Sequence, residues 1–147
     1  MIDNSKEYCI CAAIWYFNDL ETDKEEMRGM VAQNINKGMV IGQWRHGNCI
    51  YVYATNHKFE NSAYHFKYLF KKNVDGFLTS KGRFVDRWQA SELAMLAGQI
   101  TPERALNKNW NGDEEYMKDF QNQTPRYRGG EERNRCKYKM IYSEDLY

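Results

Sequence analysis

Residues 8–17, YCICAAIWYF, form an apolar run without a single charged side chain. Its length and its β-branched and aromatic content suit a strand. A strand that is apolar at every position has to be covered on both faces, so this run is predicted to be central in its sheet. Within it Cys9 and Cys11 are two residues apart and are predicted to point to the same side.

The rest of the chain supplies the other elements. Residues 18–37 are polar and acidic and read as a loop or a short exposed helix. GMVIGQW at 38–44 is a second short strand bounded by glycine. CIYVYATNHK at 49–58 is ambiguous: it has apolar residues at helical spacing but opens with strand composition. An aromatic, basic stretch covers 64–72. Residues 74–80 and 83–85 read as hairpin arms around Lys81 and Gly82.

A helix is predicted over 87–97, with Asp86 as N-cap and Gln89 completing a capping box. Ala90, Leu93, Ala94 and Ala97 form one apolar stripe, and Gly98 suits the left-handed C-terminal position. Trp88 and Met95 make a second apolar line. The helix is therefore either sandwiched within the fold or docked on another subunit, and the subunit is the preferred reading. Residues 113–120 suit a short acidic helix, 121–135 a mobile loop, and 138–142 a last strand. The fold class is α+β: a mainly antiparallel sheet with two or more helices, in one compact domain spanning 1–147.

A net charge of +1 argues against coating a long nucleic acid by bulk electrostatics, while a small anion needs only a local cluster of positive charge. No apolar run approaches the roughly 20 residues of a membrane helix. The four cysteines form no CxxC pair and the opening residues are polar. A reducing, cytoplasmic setting with free thiols is expected.

Two clusters carry candidate chemistry. Around the hairpin and helix start, Arg83 and Arg87 flank backbone N–H groups that favour anions, Thr79 adds a hydroxyl, and Phe77 and Phe84 offer rings for a base. Asp86 as the cap competes for those groups, and a structural hairpin with solvated arginines is the weightier reading of the residues alone. Arg45 and His46 form the second cluster, suited to phosphate binding, to acid–base work or simply to the surface. His46 and Cys49 have H-x-x-C spacing, but no recognised zinc pattern emerges. Hydrolase and nucleotide-loop motifs are lacking, which favours binding without turnover.

YCICAAIWY, GMVIGQWRHGNCI, GFLTSKGRFVDRWQASELAMLAGQI and the terminal IYSEDLY occur in that order over about half the chain. Together they resemble the phage-encoded anti-defence proteins of the first Thoeris type. The resemblance implies a sponge that binds cyclic ADP-ribose isomers, and in some members cyclic di- or trinucleotides at separate sites, without cleaving them. It implies a homo-oligomer, dimer-based and hexameric, in the cytoplasm of the infected bacterial host, with no cofactor. Ligand contacts would fall on Arg45, His46, Phe77, Thr79, Arg83, Phe84, Asp86 and Arg87, with Arg135 added from the basic tail. The competing readings are an enzyme that degrades such a signal through His46 and Asp86, and an inhibitor that binds a defence protein directly.

Overall fold

Four antiparallel strands build the sheet, in the order β2-β1-β3-β4. They are β1 (Cys9–Tyr16), β2 (Met39–Gln43), β3 (Val74–Thr79) and β4 (Phe84–Asp86). The computed structural model describes residues 5–17, 32–56 and 73–147, with the backbone alone for 54–56. Residues 18–31 of the acidic segment 18–37, and 57–72 with the whole aromatic stretch 64–72, lie outside the described residues.

The apolar run is central as expected, with β2 on one side of β1 and β3 on the other. Residues 12–16 are all buried, and they alternate. Ile14 and Tyr16 pack with Cys49 and Tyr53 of α1 (His46–Asn56), and the Tyr16 and Tyr53 rings stack at 3.7 Å. Ala13 and Trp15 pack on the other face with Ala32, Ile35, Val74 and Phe84. The two cysteines do not share a side. A register shift between Cys9 and Cys11 sets them opposite the adjacent residues Thr79 and Leu78, which face opposite ways. Cys9 consequently joins the cluster of Phe77 and Val85.

The hairpin turns at Gly82, whose φ of 75° is the left-handed conformation glycine favours. Gly76 is required by close approach, because a Cβ there would lie 1.9 Å from the Val85 carbonyl oxygen. The exposed edge of β4 is closed by an amide: Asn34 accepts from the Phe84 N–H at 2.8 Å and donates to its carbonyl at 2.7 Å. It pairs that residue as a neighbouring strand would.

Helix α2 (Arg87–Leu96) follows with its capping box complete, Asp86 accepting from the Trp88 and Gln89 amides. Its Ala90, Leu93 and Ala94 stripe packs on Phe77, Val85 and Ile141. The second apolar line is also buried within the chain. Trp88 and Met95 pack with Ala105, Tyr116, Phe120, Cys136 and Tyr138. The preferred reading of a subunit interface is corrected accordingly: the C-terminal third of the same chain covers that face.

That third is mostly irregular, with short helices α3 (Pro102–Ala105) and α4 (Glu114–Met117). No strand forms at 138–142; one bridge links Leu106 with Tyr138, and the segment is otherwise held by bonds such as Ile141 N–H to the Arg87 carbonyl. Over its described residues, 49–56, the ambiguous segment is helix, and Cys49 and Tyr53, one turn apart, both face the sheet. The stretch 121–135 is not a free loop: its Arg128 is among the most deeply buried side chains described, and Gly130–Arg135 winds into a 3-10 helix.

Across the hairpin, Arg83 grips Glu7 with two parallel hydrogen bonds of 2.8 and 2.9 Å. Burial alone would raise the Glu7 carboxyl. Hydrogen bonds from Arg83 and Thr79, with the charges of Arg83 and Lys81, outweigh it and hold the group below its ordinary value of 4.5. A carboxylate depressed in the folded state contributes stability above its unfolded pKa and loses it as pH falls through the folded pKa. Glu7→Gln is therefore expected to cost about 1–2 kcal/mol at neutral pH. That difference from the parent should shrink steadily below pH 4.5; urea titrations at pH 7 and pH 3 check it.

Candidate functional site

Trp88, at the second position of α2, is overlaid by two later parts of the chain, Tyr127 and the segment 140–142. Two adjoining clefts open on this face, with Trp88, Tyr127, Met140 and Tyr142 as their common wall. The smaller, of about 340 Å³, also takes in Asn73, Asp75 and Arg87. The larger, of about 520 Å³, runs past Gly129 and Gly130 to Arg104, Arg133 and Lys139.

The wall is aromatic and partly open. Trp88 is buried at its base, whereas Tyr127 is 73% and Tyr142 43% exposed. The Tyr127 ring meets Trp88 edge to face at 5.5 Å and crosses Gly129, where a Cβ would sit 2.2 Å from the tyrosine oxygen. Any side chain at 129 would displace the ring.

Tyr127 owes its position to its neighbours. Asp86 Oδ2 accepts from the Arg126 amide at 3.1 Å and from Arg128 Nε at 2.7 Å. The Arg128 guanidinium also donates to the Tyr116 hydroxyl, the Gln123 side chain and the Thr124 carbonyl, and lies 4.9 Å over the Phe120 ring. Both members of this pair are 0% exposed. With 126 and 128 pinned inward, the intervening tyrosine projects outward. The cap of α2 is thus also the anchor of the cleft wall.

Charge is unevenly compensated along the face. Arg87 donates to Asp75 at 3.3 Å and to the Ile141 carbonyl at 2.9 Å, and rests 4.8 Å from the Tyr142 ring. Arg104 is held by both oxygens of Asp145, at 2.9 and 2.7 Å. Burial tends to raise the Asp145 carboxyl, but the bonds from Arg104 and the Tyr142 amide hold it below its ordinary range. Among the described residues no carboxylate pairs with Arg133 or Lys139, so the larger cleft carries the uncompensated positive charge.

The expected site residues do not converge. Arg87 lines the smaller cleft. Arg83 borders a separate cleft of about 270 Å³ beside Trp15 and Asn36, but its guanidinium is taken by Glu7 and the Gln121 carbonyl. Phe77 and Phe84 are core residues at 0% exposure and offer no face to a base. Thr79 is buried and donates to Glu7. Asp86 has its oxygens filled by four N–H donors. Arg135 lies outside both clefts, bound to Asp113 at 2.8 Å. Arg45 is flanked by the Trp44 and Tyr147 rings at 5.2 and 4.9 Å and donates to the Tyr147 carbonyl.

His46 opens α1 against the Phe77 ring and, through Nε2–H, donates to the Gly76 carbonyl at 2.8 Å. Burial and the nearby charge of Arg87 lower its pKa, which favours the neutral ring. Burial pushes the Cys9 and Cys49 thiols up to about 12 and Cys136 to about 11, so all three stay protonated at neutral pH. Among the described residues no group of histidine, cysteine and carboxylate side chains could hold a metal ion.

A family model described as phage T4 y16D protein matches residues 8–147, nearly the whole chain. The chain belongs to that phage protein family. No curated protein and no solved structure matches it. For this y16D-family chain, the weight of the site therefore rests on its own geometry.

Sequence reasoning missed the wall itself. Tyr127, Met140 and Tyr142 fall in segments read as mobile or as a strand, and neither reading brings them to Trp88. One signal was present: the basic run from Arg126 to Lys139 is interleaved with tyrosines, a pattern that suits cation–aromatic packing.

Proposed function

We propose that this phage protein binds a cyclic ADP-ribose-type nucleotide on the Trp88–Tyr127–Tyr142 face and holds it intact. By doing so it withdraws the signal of a Thoeris-type host defence. The observation that carries the reading is an open aromatic wall shared by two adjoining clefts, the larger of which holds Arg133 and Lys139, cations without a carboxylate partner among the described residues. Their volumes fall in the range usual for small-molecule sites, about 300–1,000 Å³.

The chemistry fits the parts of such a ligand. A base stacks on tyrosine or tryptophan faces, which is worth about 1–3 kcal/mol per base. A pyrophosphate takes charge-assisted hydrogen bonds from arginine and lysine, and Arg133 and Lys139 supply these at the far end. Sequestration needs only tight binding: a nanomolar dissociation constant corresponds to about 12 kcal/mol. The resemblance noted from the ordered sequence blocks points to the same ligand class.

Equilibrium dialysis against a cyclic ADP-ribose isomer tests this directly. Retention of ligand on the protein side at submicromolar concentration is the expected result, and even distribution across the membrane would refute the reading.

A further inference from the structure

Two polar groups in the smaller cleft are incompletely used. Asn73 stands immediately before β3, and its Nδ2 amide is buried without a hydrogen-bond partner among the described residues. A buried donor left unpaired is costly, and each such group in a folded protein calls for an explanation. Asp75, two residues on, gives Oδ2 to Arg87 at 3.3 Å, and its side chain is 41% exposed. No donor among the described residues engages its Oδ1. Both residues line the same cleft as Trp88 and the two tyrosines.

We propose that Asn73 and Asp75 read the edge of an amine-bearing nucleobase held in the smaller cleft. The Asn73 amide donates to a ring nitrogen, and the Asp75 carboxylate accepts from the neighbouring exocyclic amine. This inference rests on the proposed nucleotide-binding function and assigns an orientation within it. The base enters the smaller cleft, where Asp75 and Arg87 compensate one another. The phosphates extend into the larger one, where Arg133 and Lys139 stand without a carboxylate partner among the described residues.

Selectivity follows from the chemistry. An adenine-type base presents a donor to Asp75. A 6-oxo base presents a carbonyl oxygen there, which removes a charge-assisted hydrogen bond and sets two acceptors against each other. Asp75→Asn weakens that distinction, because an amide can turn either its oxygen or its NH2 to position 6; what remains is the hypoxanthine N1–H, which faces the Asn73 donor.

The test compares two probes: a cyclic ADP-ribose isomer with unsubstituted adenine N1 and N6, and the same compound with the adenine deaminated to hypoxanthine. Titration calorimetry of the parent protein should show the adenine form binding at least about tenfold more tightly. In Asp75→Asn that ratio should fall clearly below the parent's. Asn73→Ala should weaken the adenine form by about tenfold. Its ligand-free melting temperature should hold or rise, since an unpaired buried donor has been removed, an outcome a purely structural asparagine would not give. Equal binding of the two probes by the parent, or an unchanged ratio in Asp75→Asn, overturns the base assignment and leaves the nucleotide site standing. Binding of neither probe overturns both.

Discussion

Replacing Asp86 with alanine is expected to destabilise the fold by about 3–5 kcal/mol, the range for breaking a buried ion pair from one side. The change leaves the Arg128 guanidinium, 0% exposed, without its counter-ion. It also removes the two amide caps of α2, worth about another 1 kcal/mol. For a chain of 147 residues this should lower the melting temperature by about 10 °C or more. The double variant Asp86→Ser, Arg128→Met should fall less than the sum of Asp86→Ser and Arg128→Met alone, because no charge is stranded once both partners are gone. Thermal melts of all three variants check the cycle. Strict additivity would mean that the pair is not coupled as its 2.7 Å contact requires.

The second large effect concerns the wall. Tyr127 is mostly exposed, so Tyr127→Ala should change the melting temperature little. It removes an open stacking surface from both clefts, and the proposed ligand should bind about tenfold to a hundredfold more weakly. Calorimetric titration with the cyclic ADP-ribose isomer, beside a melt of the same preparation, separates the two readouts. Loss of binding in a variant that melts like the parent would place the ligand on this face; unchanged binding would move it elsewhere.

These two predictions are linked through one residue. Asp86 caps the helix that carries Trp88, and its second oxygen holds the backbone on one side of Tyr127 and the guanidinium on the other. The cap was legible, because an Asp three residues before a Gln at the start of an apolar periodicity has a local physical meaning. The second role was not. It depends on a residue 42 positions away, and nothing in the spacing of Arg128 separates a buried guanidinium from a solvated one.

The same division runs through the fold. β1, the hairpin and α2 were readable, since an unbroken apolar run, glycine at the turn and helical spacing are local signals. Apart from its short acidic helix, present at Glu114–Met117, the C-terminal third was misread because it is built from few regular elements. Its order comes from side chains that reach the backbone, such as Gln89 to the Phe120 and Gln123 carbonyls and Gln123 to that of Tyr116. Polar composition usually signals a mobile loop, and here it supplies the hydrogen bonds that prevent one. Phe77 and Phe84 erred in the opposite direction. Their strand positions were right, but both faces of this sheet are covered, so aromatic residues on the hairpin became core.

Under the proposed function the protein captures a nucleotide signal and returns it unchanged. The most direct measurement incubates the purified protein with the cyclic product of an active TIR-domain enzyme, filters the mixture, and heats the retained protein. Mass spectrometry then follows the nucleotide in each fraction. Sequestration without turnover leaves a filtrate depleted of signal and intact cyclic nucleotide in the heat-released fraction. Cleaved product, or a filtrate that keeps all of its signal, would contradict it.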